Sequence, residues 1–139
     1  MRSFVTSAVF GFSFGLSALS ALAQSSVTVE HSNGLIESYR AYIGRDDLFN
    51  SSGVRLTKPW QIIRQDRANF YVYGIRDRDD EADTFFADAA NRQALEVMLR
   101  NGSMSGEAAR MIVQGGVWID VEIYGRGSSG RWINVTVRD

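Results

Sequence analysis

The segment Arg64-Gln65-Asp66-Arg67-Ala68-Asn69 gathers two guanidiniums, a carboxylate and two amides inside a strongly apolar stretch. On a helix, Arg67 falls between Ile63 and Phe70, and Asp66 and Asn69 share a neighbouring face with Ile62 and Tyr73. Polar groups that close to a core must be hydrogen-bonded or paired. Such a set would make either a recognition or acid–base surface, or a buried arginine–carboxylate–amide network. In the second case Arg64, Asp66, Arg67 and Asn69 would tie down the loop 45–56 through Asp46, Asp47 or Asn50. The need of buried polar groups for partners favours the network.

The run Asp77-Arg78-Asp79-Asp80-Glu81-Ala82-Asp83 offers different chemistry. Asp77, Asp79, Glu81 and Asp83 fall at positions 1, 3, 5 and 7 of a calcium-loop register, with Asp88 at position 12. Ala82 stands where the turn demands glycine, Asp88 replaces a bidentate glutamate, and Arg76 and Arg78 supply internal counter-charge. These departures favour a solvated acidic loop capping the following helix, with Ca2+ as the one cofactor candidate. Asp66, Asp77 and Asp80 are also the carboxylates a small acid–base or metal-assisted hydrolase would use.

Three further features have plain readings. Gly125-Arg126-Gly127-Ser128-Ser129-Gly130 matches the dinucleotide pattern G-x-G-x-x-G, but a β-branched alternating segment follows where a helix is required. It reads as a hairpin loop whose Arg126 and Arg131 flank a potential anion contact. His31 is the only histidine and the chain has no cysteine, so a zinc site would need unusual ligands and thiolate chemistry is excluded. No G-x-S-x-G elbow accompanies the serines.

The clearest element is C-terminal. Val117, Ile119, Val121 and Ile123 alternate with Trp118, Asp120, Glu122 and Tyr124, and the segment 131–138 repeats the alternation. Pairing Ile123 with Ile133, Val121 with Val135 and Ile119 with Val137 places every aliphatic residue on one face. The other face then carries Trp118, Tyr124 and Trp132. Either a second layer formed by the N-terminal segment covers these rings, which is the favoured arrangement, or they form a contact patch for a glycan or an envelope protein.

Upstream, Val27–Glu30 reads as a short strand before an Asn33-Gly34 turn. Leu35–Ile43 fits either period, and its aromatic content favours a strand over 39–43. Thr57 as N-cap, Pro59 in the first turn and Gly74 as terminator delimit a helix over 58–73. Phe86, Ala90, Ala94 and Met98 at steps of four predict a second helix over 84–100. Ala108, Met111 and Ile112 predict a third over 105–114, closed by Gly115-Gly116. The fold class is therefore α+β: a small antiparallel sheet built on the 117–124 and 131–138 hairpin plus one or two N-terminal strands, packed by two or three helices.

Residues 1–23 read as a leader: Arg2, an apolar stretch broken by serines and glycines, and Ala21-Leu22-Ala23 as the cleavage pattern. The serines, the glycines and that pattern favour cleavage over a retained anchor, leaving one exported domain over 24–139 without stable membrane insertion. With no disulfide available, stability must rest on packing and on ion pairs of the 15 basic residues, of which only Lys58 is lysine. A formal charge of −1 lacks the basic footprint of a nucleic-acid binder. The expectation is an exported, non-enzymatic binding or interaction domain of the cell envelope, with contacts at Trp118, Tyr124, Trp132, Arg126 and Arg131.

Overall fold

A computed structural model describes residues 33–138. The predicted leader, the strand at 27–30 and His31 lie outside them. The sheet contains β1 (Gly34–Ile43), β2 (Val117–Arg126) and β3 (Ser129–Arg138), antiparallel in the order β1-β2-β3. Ile119 faces Val137, Val121 faces Val135 and Ile123 faces Ile133, the register that the aliphatic alternation predicts. Both periods compete over Leu35–Ile43, and the strand prevails along its whole length because Tyr39, Ala41 and Ile43 complete the aliphatic face of β2. Gly34 opens this strand opposite Gly125 instead of closing a turn.

Glycine shapes the hairpin end. The expected Gly/Ser loop shrinks to a two-residue turn at Gly127-Ser128, with Gly127 at φ 60° and a bulge beside Tyr124. The strands continue through Gly125 and Gly130 because neither position has room for a Cβ: Ser129 backbone crowds one, and Phe85 and Met98 crowd the other.

The helices cover the aliphatic face. Pro59 starts α1 (Pro59–Ala68), which continues through a π-helical turn over Asn69–Tyr73 until left-handed Gly74 ends it. Ile62, Ile63 and Phe70 bury its apolar side. The predicted second helix is a correction. It begins only at Ala89, and it is divided at Ala94 into α2 (Ala89–Gln93) and α3 (Leu95–Asn101). Side chains replace the missing first turn: Glu37 accepts from the Thr84 and Phe85 amides, Asp83 from the Phe86 amide, and Asn91 and Arg92 donate to the Phe85 and Phe86 carbonyls. That arrangement buries Phe85 and Phe86 together, which consecutive helical positions do not favour. Ser105 caps α4 (Gly106–Gln114), accepting from the Ala108 amide at 3.0 Å.

Between α3 and α4 the chain touches the edge of β3. Ser103 donates to the Ile133 carbonyl at 3.1 Å and accepts from the Val135 amide at 2.9 Å. A Cβ on Gly102 would overlap the Ile133 carbonyl, whereas one on Gly106 meets nothing. Gly102→Ala is therefore expected to lower unfolding free energy by about 1–3 kcal/mol. Gly106→Ala, at a helical position, should be neutral or stabilising by up to about 1 kcal/mol. Urea unfolding of the pair checks this, and equal effects would contradict the packing argument.

Candidate functional site

Arg67 is 0% exposed, and its guanidinium joins three separated parts of the chain. Nε donates to Asp66 Oδ2 at 2.8 Å, and Nη1 donates to Asp83 Oδ2 at 3.0 Å and to the Glu81 carbonyl at 2.9 Å. Its carbon lies 4.2 Å from the Tyr39 ring centre and 4.7 Å from that of Phe70. These cation–π contacts offset part of the desolvation of a cation whose Nη2 has no partner among the described residues. Tyr71 Oη lies 3.0 Å from Asp83 Oδ2 and accepts from the Asp83 amide at 2.6 Å.

A second chain of bonds leads out of this core. Gln65 Nε2 donates to Asn69 Oδ1 at 2.8 Å, and Asn69 Nδ2 donates to Asp47 Oδ1 at 2.8 Å. Asp47 Oδ2 accepts from the Gly44 amide at 2.9 Å, closing a 3-10 turn over Arg45–Leu48. Asp47 thus ties down the 45–56 loop, while Asp46 is exposed and Asn50 caps the Ser52 and Val54 amides. Asp66, Arg67 and Asn69 are brought together in the interior. Arg64 stands apart from them, its guanidinium 4.8 Å from the Trp60 ring centre.

Burial pushes the Asp66 carboxyl up to about 8, against the pull of Arg67, and the Asp47 carboxyl up to about 6, against its bonds to Asn69 and Gly44. Burial also works against the Arg67 cation, but Tyr39 and Asp66 outweigh it and hold its pKa above the ordinary arginine value.

The acidic run does not converge on a point. Asp83 turns inward to Arg67, Asp88 caps α2 through the Ala90 amide, and Asp79 projects into solvent. Asp80 accepts from the Tyr42 amide at 2.7 Å and the Asp77 amide at 3.0 Å, and Glu81 accepts from the Arg40 amide at 2.8 Å. Asp77, Asp79, Glu81, Asp83 and Asp88 are therefore not gathered, and no cluster of three metal-ligating side chains occurs among the described residues. Of the carboxylates a hydrolase would use, Asp66 is sealed at 2% exposure. Asp77 and Asp80 sit together near Asp46, and burial, then Asp80 and Asp46, raise the Asp77 pKa.

On the sheet face away from the helices, Glu122 and Thr136 are exposed, and Trp118, Tyr124 and Trp132 are half-buried. Tyr124 and Trp132 stack with centroids 5.4 Å apart and planes 2° from parallel. Trp118 belongs to the opposite end, against Tyr42 at 5.3 Å. Six residue steps along β2 separate the ends, about 20 Å at β spacing, so the predicted contact residues divide into two groups. Arg126 and Arg131 are exposed at the Tyr124–Trp132 end. Between the groups, Asp120 pairs with Arg40 at 3.2 Å and with Arg138 at 2.5 Å. The N-terminal segment expected to cover this face lies outside the described residues.

A cleft of about 510 Å³ separates the 45–51 loop from the end of α1. Gln65 and Asn69 face it, and Phe49, Tyr73 and Ile75 supply its apolar wall. Sequence reasoning missed this site and the roles of Tyr39 and Tyr71. The steps of four from Gln65 to Asn69 to Tyr73 were the available signal for one stripe, and nothing local marks its partner at Phe49. No protein-family model, curated protein or solved structure matches the chain.

The two raised carboxyls give stability a definite pH dependence. Folded Asp66 and Asp47 keep protons over a range in which the unfolded chain has lost them, above about pH 4. Folding therefore takes up protons, and stability falls as pH rises from about 4 through the folded values of about 6 and about 8. The thermal midpoint is expected to drop between pH 5 and pH 9. Asp66→Asn, which keeps an acceptor for Arg67 but has no such proton to lose, should flatten the drop. A midpoint that rises across that range would contradict the assignment.

Proposed function

We propose that this chain is an exported, non-catalytic binding domain of the cell envelope, and that the face of its sheet away from the helices is the contact surface. The observation that carries the assignment is the pairing of aromatic residues at both ends of that face, Tyr42 with Trp118 and Tyr124 with Trp132. Clustered aromatic side chains on a surface mark sites of contact. Between them lie Arg40, Asp120, Glu122, Asn134 and Arg138, two cations and two anions with an amide. A balanced row of this kind selects neither an acidic nor a basic partner. An extended neutral glycan matches it well: ring faces accept the C–H faces of sugars, and planar carboxylates and amides bond to hydroxyls. The sealing of Asp66 beside Arg67 supports binding over carboxylate catalysis.

Co-sedimentation with insoluble envelope polysaccharide tests the assignment. The native chain should sediment, and Trp118→Ala and Trp132→Ala should each weaken binding tenfold or more while the far-ultraviolet circular dichroism stays native. No binding by the native chain, or unchanged binding by both variants, would overturn it.

A further inference from the structure

The cleft beside α1 combines an apolar wall with two opposite charges that have no partner among the described residues. Arg45 and Asp46 are adjacent residues of the 3-10 turn, both exposed and both lining the cleft. Among the described residues neither forms an ion pair or a side-chain hydrogen bond, with each other or elsewhere. Successive residues of a 3-10 helix point about 120° apart, so the two charges flank a space instead of neutralising one another. Asp46 also lies on the acidic side of the site, close enough to Asp77 to oppose its ionisation.

The opposite wall is apolar. Tyr73 is 53% exposed and Ile75 is 45% exposed, two of the large hydrophobic residues the fold leaves open, and both line this cleft with Phe49. The floor is fixed. Gln65 bonds to Asn69, Asn69 to Asp47 and Asp47 to the Gly44 amide, so one hydrogen-bonded chain links the floor to the turn carrying both charges. A site held this way loses little freedom on binding. The Gln65 Oε1 acceptor has no donor among the described residues, since Asn69 engages only Nε2.

We infer that the cleft binds a free α-amino acid with a large apolar side chain. Its carboxylate would pair with Arg45, its ammonium with Asp46 and Gln65 Oε1, and its side chain would lie against Phe49, Tyr73 and Ile75. The volume of about 510 Å³ falls in the range of small-molecule sites. A ligand with one charge alone would leave the second rim charge unanswered, and a neutral sugar would leave both. This site shares no residue with the sheet face, so it stands or fails independently of glycan binding there.

The test is 15N-resolved NMR titration of the full mature chain, reading the Gln65 and Asn69 side-chain amides. The probes are L-phenylalanine, L-leucine, 3-phenylpropionate, phenethylamine and maltose. Phenylalanine and leucine should shift these amides at millimolar concentration, and each singly charged analogue should bind at least tenfold more weakly. Arg45→Gln should remove the advantage of phenylalanine over phenethylamine. Asp46→Asn should remove its advantage over 3-phenylpropionate. Both residues are exposed, so folding is preserved and the fingerprint spectrum confirms it. Three results would each overturn the inference: no shift with any amino acid, tighter binding of maltose, or variants that keep the native order of affinities.

Discussion

Arg67 is the constraint around which the rest of the structure is arranged. A guanidinium without water must find acceptors, and no single element can supply them. Its own helix contributes Asp66, the 81–83 segment contributes a carbonyl and Asp83, and β1 contributes the Tyr39 ring. One side chain thereby fixes the separation of helix, strand and loop. Apolar contacts are non-directional and tolerate sliding, whereas these bonds do not. Burying the ion is itself of little net benefit to stability, whereas removing one of its partners leaves a buried charge uncompensated.

The same constraint explains the shape of the acidic segment. Once Glu81 and Asp83 are held against Arg67, Asp80 and Glu81 lie along the edge of β1 and accept its Tyr42 and Arg40 amides, while Glu37 of β1 accepts the Thr84 amide in return. Of the five carboxylates that look in the sequence like cation ligands, Glu81, Asp83 and Asp88 accept backbone amides instead. The π-helical turn after α1 belongs to this picture too, since it lies where Asn69 reaches Asp47 and Tyr71 reaches Asp83.

The hairpin register, the α1 terminator at Gly74 and the end of α4 at Gly115 were legible because each depends on neighbours close in sequence. Alternation in β2 and β3 leaves only one pairing that buries Ile119, Val121, Ile123, Ile133 and Val135 together. The break before Ala89 was not legible, because the groups that replace the helical turn include Glu37, 47 residues away from Thr84. The polar cluster was visible as an anomaly in an apolar helix, but its split was not. Asp66 and Arg67 face the core, whereas Gln65 and Asn69 face the cleft, and the opposing wall comes from residues around Phe49 that carry no signal of their own.

The edge of β1 has a consequence for the molecule among its neighbours. An exposed strand edge offers donors and acceptors that another chain can copy, and a crowded compartment makes such templating hazardous. Here the Arg40 and Tyr42 amides are already answered by the carboxylates of Glu81 and Asp80, and the Arg40 carbonyl by the Glu81 amide. A carboxylate ends the ladder, because unlike a peptide it presents negative charge and no donor to whatever comes next. Among the described residues, this stretch of the sheet edge is closed by side chains in place of a further strand, and strand addition is blocked at Arg40 and Tyr42.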